Sequence, residues 1–391
     1  MSKTQEGYLL IADITGYTVY LSKSELEHAQ EILTVLLELL VDHTRPPLVL
    51  SRLAGDAVIS YGLGDHFYRG QTFIEMIEDT YVAFRKVIEK MVLNNNCHCN
   101  ACANISGLDL KFFIHYGVFI IQRISDHDEL VGSDVNLIHR LLKNHVSEKT
   151  GFRAYSLYTD AAIRHLGSPD ICETMTSHSE KYEHLDEVNV WVQDMHPIWE
   201  QKRVAGRVTF LPDQVLIQFE VDIQAQPEQV WDYLSIPEYV NILTGADRQE
   251  ITDRSHGRIT TGSVFHCYHG DHASRLLILE WQPFERMVTQ SLVPVPVPNT
   301  LLLCEYRLTP TETGTCLAKL FSKATGPLPG RIMSNLVMPL VAKQGLKNLV
   351  AFKQRVEADL VARAVGTVGG VKIDITEISL AVETSLQFTK R

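Results

Sequence analysis

Two acidic residues stand where apolar, strand-like segments end in a turn. Asp13 closes the run "YLLIAD" and is followed by Thr15 and Gly16, which predict a turn. Asp56 lies in "RLAGDAVISY", at the turn of a predicted hairpin. If the two strands are neighbours, the carboxylates face each other and repel each other unless a cation lies between them. Hard divalent cations prefer oxygen ligands, so the pair is a candidate site for two Mg²⁺ or Mn²⁺ ions, to which the carbonyl of Ile14 would add a ligand.

Two further groups of residues have the chemistry to bind phosphate. The backbone amides that follow Asp13 can cradle phosphate oxygens, and they belong to Thr15, Gly16, Tyr17 and Thr18. Asn136 and Arg140 are four residues apart in "GSDVNLIHRL", so they share one face of a predicted helix. An amide and a guanidinium on one face can orient a sugar and neutralise charge on a phosphoryl group in transfer.

Each of these residues also has a structural interpretation. Asp13 can cap a turn, Asp56 can be the acid of an ordinary Gly-Asp hairpin, and Asn136 and Arg140 can be solvent-facing helix residues. Taken one at a time, these interpretations have the greater weight, and the functional one depends on whether the fold brings the residues together.

The elements that must position these residues follow from the hydrophobic pattern. Helices alternate with paired strands, which indicates an α+β domain of the ferredoxin-like type. The predicted elements are a strand over 8–13, a helix over 24–44 with Ser24 as a possible N-cap, two short strands within 47–63, a helix over 72–93, one strand or a strand pair over 108–124, a helix over 134–146 and a strand over 188–194.

Four segments in this order resemble the catalytic domain of class III adenylyl and guanylyl cyclases. They are "ADITGYT", "RLAGDAVISY", "LKFFIHYG" and "GSDVNLIHRL", and together they cover residues 9–142. The resemblance implies that Asp13 and Asp56 bind two metal ions and that Asn136 and Arg140 stabilise the transition state. It implies attack of the 3′-oxygen of a nucleoside triphosphate on its own α-phosphate, with release of pyrophosphate. It also implies a homodimer, because in that family the acids and the Asn/Arg pair come from opposite subunits.

The positions that read the base depart from the family pattern. Adenylyl cyclases have Lys four residues before the hairpin Asp and Asp three residues before the helix Gly, whereas this chain has Arg52 and Glu129. The charges are kept and the side-chain lengths differ, so ATP, GTP and a pyrimidine nucleotide all remain candidate substrates. The lysine that binds phosphate in that family has an approximate counterpart in Lys181.

The second half of the chain has a different pattern. Residues 213–361 resemble the START/Bet v 1-like helix-grip family, in which an antiparallel sheet curls around a long helix and encloses an apolar cavity. The resemblance is carried by "FEVDIQAQPEQVWDYLSIPEYVNIL", "LEWQPFERMVTQS" and a long amphipathic helix over 330–360. It implies a hydrophobic small molecule as ligand, and we expect such a ligand to regulate the first domain.

A compact cysteine motif separates two predicted elements of the first domain. The segment "CHCNAC" places Cys97, Cys99 and Cys102 within six residues, which suits zinc because thiolates are soft ligands. The adjacent His98 is poorly placed to reach the same ion, so a fourth ligand would come from elsewhere. Reduced structural thiols and a redox-sensing cluster are the alternatives.

Composition narrows the class of protein. The net charge of −11 argues against general binding to nucleic acid or to anionic membranes. The most apolar segment, "ILTVLLELLV", is too short for a membrane span and contains Glu38. We expect a cytosolic protein without a disulfide framework, since seven cysteines is an odd number.

These observations predict two domains and one leading function. The predicted divisions are a cyclase-like domain over 1–195, a linker over 196–212, a ligand-binding domain over 213–361 and a tail over 362–391. The leading hypothesis is a homodimeric, Mg²⁺- or Mn²⁺-dependent nucleotide cyclase that a hydrophobic ligand regulates. The alternatives are a non-catalytic sensor that binds nucleotide or lipid, and a protein whose second domain carries or transforms a hydrophobic compound.

Overall fold

A computed structural model describes most of the 391 residues. The described residues are 4–64, 70–93, 97, 99–124, 127–167, 169–183, 187–204, 208, 212–253, 257–270, 272–293 and 295–366. The chain forms a mixed α+β structure with two sheets, as the sequence predicts.

The first half of the chain builds the first sheet and the helices that cover it. Its strands are β1 (Thr4–Thr15), β2 (Val49–Ala54), β3 (Ala57–Leu63), β4 (Asp109–Ile124), β5 (His127–Val131), β6 (Tyr155–Thr159), β7 (Thr176–Glu180) and β8 (Val188–Asp194). Its helices are α1 (Tyr17–Ser22), α2 (Leu26–Thr44), α3 (Gly70–Leu93), α4 (Asn100–Asn104), α5 (Ser133–Leu141), α6 (Val146–Thr150), α7 (Asp160–Leu166) and α8 (His196–Val204).

The order of the strands in this first sheet is β2-β3-β1-β4-β6-β8-β7, and β5 pairs with the outer half of β4. The β4–β6 pair is parallel, whereas β1 is antiparallel to both of its neighbours. Strand β1 is therefore central, and its carboxyl end lies beside the β2–β3 turn.

Strand β1 has apolar side chains on both faces because both faces are covered. Tyr8 and Leu10 contribute to the core that contains residues of α2 and α3. Leu9 and Ile11 contribute to a second core that contains residues of α5. Asp13 alternates in phase with Leu9 and Ile11, so it is on the α5 side of the sheet.

The second half of the chain forms an antiparallel sheet with the order β10-β11-β12-β13-β14-β15-β9. Its elements are β9 (Val215–Ile223), α9 (Pro227–Leu234), α10 (Pro237–Thr244), β10 (Arg248–Asp253), β11 (Val264–His269), β12 (His272–Gln282), β13 (Arg286–Leu292), β14 (Leu301–Thr311), β15 (Gly314–Ser322) and α11 (Leu328–Gly366). Helix α11 includes the long helix that the sequence predicts over 330–360.

Aromatic and aliphatic side chains fill the core of this second sheet, where Trp231, Phe265, Tyr306 and Phe352 are buried together with apolar residues of α11. The helix-grip arrangement and the apolar ligand remain predictions.

Helix α3 joins the two halves of the molecule through two buried acids. Arg258 donates two hydrogen bonds to the Glu78 carboxylate, at 2.7 and 2.8 Å. The indole nitrogens of Trp231 and Trp281 donate to the two oxygens of Glu75, at 2.9 and 2.7 Å. A buried carboxylate needs such partners to offset its lost hydration, so these contacts fix the second domain on α3.

The element predictions differ from the structure in three places. Helix α2 begins after Glu25 rather than at Ser24, because the Glu25 carboxylate accepts hydrogen bonds from the backbone N–H of Ala101 at 3.0 Å and from the Asn100 side chain. Helix α5 ends at Leu141, before the predicted end at residue 146, whereas the segment 108–124 forms one long strand, β4, which is one of the two predicted alternatives. The predicted linker begins as helix α8, which packs against α3.

The C-terminal helix is longer than predicted. It continues to Gly366, and the rest of the predicted tail, from residue 367, is outside the described residues. Among the described helices, none has the length and apolar content that a membrane crossing requires.

Candidate functional site

The backbone brings Asp13 and Asp56 to the same place. Asp13 is the last residue of β1 in register with β3, where it pairs with Ala57, the residue that follows Asp56. The N–H of Ile14 donates to the carbonyl oxygen of Asp56 at 3.1 Å. This hydrogen bond holds the β2–β3 turn against the end of β1, which is the geometry that the acid-pair hypothesis requires.

The electrostatics of the two carboxyl groups agree with this placement. Burial, and after it the charge of Asp56, raises the pKa of Asp13 to about 6, although Lys111 opposes the shift. Burial also raises the pKa of Asp56, against a backbone hydrogen bond that lowers it. The two acids are therefore close enough to repel each other, and a bound cation would favour their ionised form.

Lys111 is a residue of this site that the sequence motifs do not single out. It lies on β4, where it is the cross-strand neighbour of Asp13 of β1 on one side and of Tyr155 of β6 on the other. Its Nζ donates to Ser147 Oγ at 3.2 Å and lies 4.9 Å from the centre of the Tyr155 ring. One lysine compensates two carboxylates only in part. The available signal was a single charged residue within the apolar run of β4.

The loop after Asp13 depends on a glycine. Gly16 has a φ of +89°, and a Cβ at this position would lie 3.0 Å from the carbonyl oxygen of Gly107. An L-residue would thus be strained in conformation and crowded in space. Gly16 precedes α1, and residues 15–18 turn directly beside Asp13, with Thr18 exposed and Thr15 and Tyr17 half-buried.

Arg52 and Glu129, the predicted base-reading residues, contact each other. Arg52 Nη1 lies 2.9 Å from Glu129 Oε2, which connects β2 to β5 across the first sheet. The side chains are 45% and 33% exposed, so both remain accessible to a ligand. Burial, and then the charge of nearby Arg52, lower the pKa of His139 on α5.

Helix α5 presents Asn136 and Arg140 to solvent. Both side chains are exposed, whereas Val135, Ile138 and Leu141 are buried against the sheet. The spacing of four thus places the amide and the guanidinium on the outer face, as predicted.

A contact between two of the sequence motifs fixes α5 in position. Asp134 accepts a hydrogen bond from the N–H of Val118 at 2.6 Å and lies 3.4 Å from His115 Nε2. Gly117 is required between them, because a Cβ there would collide with the Asp134 carboxylate. The His-x-Gly strand and the Gly-x-x-Val-Asn helix therefore form one packed unit.

Lys181 is not brought to the acid pair by the described part of its own chain. It follows β7, which lies at the edge of the sheet and four strands from β1. Its Nζ lies 3.4 Å from Glu187 Oε2, and its side chain is 75% exposed. The three predicted zinc ligands Cys97, Cys99 and Cys102 lie around the N-terminal end of α4.

A surface cleft of about 650 Å³ lies between α3 and α8. Arg85, His196 and Trp199 contribute to its lining. Helix α3 packs on the core opposite to that of Leu9 and Ile11, so this cleft and the side chain of Asp13 are on different faces of the sheet.

Sequence comparisons match part of this chain to proteins whose descriptions assign no activity. Residues 33–150 match the family described as "Protein of unknown function (DUF2652)". A Mycobacterium tuberculosis protein described as "Uncharacterized protein Rv2561/Rv2562" is 32% identical over 114 residues, which are 28% of this chain and 51% of that protein. The chain thus spans about half the length of the curated relative that it matches.

Solved structures similar to this chain include nucleotide cyclases. The guanylyl cyclase Cya2 is similar with a TM-score of 0.38 and 14% identity over 49% of this chain and 92% of its own. A bacterial light-regulated adenylyl cyclase gives 0.38 and 13% over 52% and 58%, and the adenylyl cyclase CyaB from P. aeruginosa gives 0.35 and 14% over 49% and 95%. Likeness of this degree covers about half the chain and assigns no role to any residue.

Proposed function

We propose that the first domain is a nucleotide cyclase that converts a nucleoside triphosphate into a 3′,5′-cyclic monophosphate and pyrophosphate. The observation that carries the proposal is the convergence of Asp13 and Asp56 at the end of β1, where the pKa of each carboxyl group is raised. Two carboxylates and the Ile14 carbonyl form an all-oxygen donor set, which suits Mg²⁺ or Mn²⁺. When bound there, two such ions supply charge neutralisation and activation of the attacking oxygen.

The remaining residues of the site bind and orient the substrate. The turn over residues 15–18 offers backbone N–H groups beside the acids, and Gly16 allows the tight backbone path. Lys111 keeps a positive charge next to Asp13, and it favours the ionised form of that carboxyl group. In this proposal the triphosphate lies over the turn, with its α-phosphate next to the acid pair.

Arg52 and Glu129 are proposed to contact the base. Their ion pair offers a guanidinium donor and a carboxylate acceptor at one place, and both kinds of group can hydrogen-bond a base edge. Since the chain has Arg and Glu where adenylyl cyclases have Lys and Asp, the base is the part of the proposal that an assay must decide.

The active unit is proposed to be a homodimer. Asn136 and Arg140 are exposed on α5, so they are available to a second subunit. In a two-fold arrangement each subunit would give its acids to one site and its Asn/Arg pair to the other. Arg140 would then stabilise charge on the phosphoryl group in transfer, and Asn136 would orient the ribose. Lys181, exposed at the edge of the sheet, is proposed to bind phosphate.

The test is a product assay with purified full-length protein. ATP, GTP, CTP and UTP are incubated separately with Mn²⁺ or Mg²⁺, and the products are separated and weighed by mass spectrometry. We expect one nucleotide to give cyclic monophosphate and pyrophosphate in equal amounts. Binding of a nucleotide without product from any of the four would overturn the proposal in favour of a non-catalytic nucleotide-binding module.

A further inference from the structure

A second cluster of metal-ligating side chains lies apart from the acid pair, between α2 and α4. The ligand atoms of His28, Cys97, Cys99 and Cys102 all lie within 4.8 Å of one another. His28 Nδ1 is 3.2 Å from Cys99 Sγ and 3.7 Å from Cys97 Sγ. Four ligands around a tetrahedral zinc ion, at bond lengths of roughly 2.0–2.3 Å, are separated from one another by roughly 3.3–3.8 Å. The two distances from His28 Nδ1 to the cysteine sulfurs are close to those of a zinc site, and the remaining ligand atoms lie within 4.8 Å of one another.

His28 supplies the fourth ligand that the sequence motif lacks. It lies 69 positions before Cys97, in the first turn of α2. The neighbouring histidine in the motif, His98, is outside the described residues. A histidine that follows a capping residue gives no local signal of metal binding, so only the packing of α2 against α4 makes it visible.

The surrounding backbone holds the cluster in this arrangement. The Glu25 carboxylate accepts from the backbone N–H of Ala101 at 3.0 Å and from Asn100 Nδ2 at 3.2 Å, which ties the start of α2 to the start of α4. Cys99 is the N-cap of α4, and its Sγ accepts from the N–H of Cys102 at 3.4 Å. An N–H···S bond of this kind stabilises a thiolate and fixes the direction of a ligand.

We propose that His28, Cys97, Cys99 and Cys102 bind one structural zinc ion. Three thiolates and one imidazole match the preference of Zn²⁺, and four protein ligands close the coordination shell, which is typical of a structural rather than a catalytic zinc. The proposal does not depend on the activity of the first domain.

The position of the site suggests what the zinc stabilises. Helix α4 continues into the turn Ile105–Gly107, and the carbonyl oxygen of Gly107 lies against Gly16. Zinc bound at α4 would therefore hold the segment on which the loop after Asp13 rests. Loss of zinc is expected to loosen this loop while the two cores of the first domain remain packed.

The first experiment measures metal in the wild-type protein, purified under reducing conditions without chelator. We expect one equivalent of zinc per chain by elemental analysis. Replacement by Co²⁺ is expected to give a thiolate-to-cobalt charge-transfer band and the visible bands of tetrahedral cobalt. A folded, reduced protein without zinc and without these bands would overturn the proposal and leave reduced structural thiols. A disulfide among the three cysteines in that sample would overturn it in favour of a redox cluster.

The second experiment compares variants of two ligands with matched variants of a histidine and a cysteine outside the cluster. His28→Ala and Cys102→Ser are expected to lower zinc affinity about tenfold or more. His43→Ala, which changes another histidine of α2, and Cys316→Ser, which changes a cysteine of the second domain, are expected to keep it. Zinc release is followed with a colorimetric chelator, and circular dichroism establishes that each variant is folded. Wild-type affinity in His28→Ala would exclude His28 from the site.

Discussion

Two pairs of acids in the first half of the chain differ in how their charge is compensated. The chain supplies partners for the carboxylates of one pair and compensates the other pair only in part. Glu75 and Glu78 on α3 are buried, and the chain provides their partners: two indole N–H groups for Glu75 and the bidentate guanidinium of Arg258 for Glu78. Asp13 and Asp56 at the strand ends are partly exposed, and burial and mutual repulsion raise the pKa of Asp13 with only Lys111 in opposition.

The difference between Glu78 and Asp13 lies in how the charge of each carboxylate is compensated. Although burial opposes the ionisation of Glu78, Arg258 outweighs it and lowers the pKa of that carboxyl group. Asp13 has the opposite shift, which it shares with Glu75, where burial outweighs the hydrogen-bond donors. An acid whose charge is compensated within the chain stabilises the fold, whereas an acid pair that remains uncompensated is stabilised by a cation from outside. The predictions below test this distinction, in order of the size of the expected effect.

Asp56→Ala is expected to abolish turnover. It removes one of the two carboxylates that would hold the cations, and we expect a loss of about 10³-fold or more in kcat. The unfolding temperature should stay within a few degrees, since Asp56 is in an accessible turn. Product formation is measured with the nucleotide that the wild-type protein converts. The matched control is Asp213→Ala, an exposed acid of the second domain, and wild-type rates in Asp56→Ala would remove Asp56 from the metal site.

Arg258→Met is expected to lower the free energy of unfolding. It leaves Glu78 buried without its counter-charge, which costs about 3–5 kcal/mol. Urea unfolding and proteolysis at the junction of the two domains measure the effect.

The control for this change is the double variant with Glu78→Gln, which removes the stranded charge and should recover part of the loss. A single-variant loss below about 1 kcal/mol would show that the pair does not hold the second domain on α3.

A mixing experiment tests whether a second subunit supplies Arg140 to the site of the Asp13–Asp56 pair. Asp56→Ala and Arg140→Ala are each expected to be inactive, and each leaves intact the part of the site that the other lacks. If the sites form between subunits, equal mixing with subunit exchange gives one intact site in half of the dimers, which is about a quarter of wild-type activity. No recovery, in a mixture shown to contain heterodimers, would place both residues in one subunit's site.

The sequence predicts the strands, turn and helix that carry the two acid pairs, and it misses the contacts between residues that are far apart in the chain. Strand β1 and the β2–β3 hairpin were predicted because apolar runs and turn residues are local signals. The start of α2 was misplaced by one residue, because a tertiary contact from α4 decides that Glu25 precedes the helix.

The partners of the buried acids and the proposed fourth zinc ligand could not be predicted. Arg258 is 180 positions from Glu78, and His28 is 69 positions from Cys97. Their pairing depends on how helices and domains pack, which hydrophobic periodicity does not specify. Lys111 was missed for a similar reason, since its importance comes from its register opposite Asp13.

The smallest expected effect concerns stability and pH, and it distinguishes Asp13 from Glu78 by sign. The pKa of Asp13 is raised from 3.8 to about 6, so between pH 4 and pH 6 the folded chain holds a proton that the unfolded chain has lost. The stability from this proton is lost as the pH rises through about 6. In buffer without added divalent cations, Asp13→Asn should therefore be more stable than the wild type at pH 7.5, by about 1–2 kcal/mol after allowance for solvent screening.

The matched control is Glu78→Gln, which should have the opposite sign at the same pH. Its lowered pKa means that the stability from Glu78 is present at neutral pH and is lost as the pH falls. Urea unfolding of the wild type and both variants at pH 7.5 and pH 4 measures both signs, and the advantage of Asp13→Asn should disappear at the lower pH. Added Mn²⁺ should stabilise the wild type more than Asp13→Asn, because only the wild type keeps both carboxylates. Equal stability of the wild type and Asp13→Asn at pH 7.5 would mean that ionised Asp13 does not destabilise the fold. The difference between Asp13 and Glu78 would then lose its physical basis.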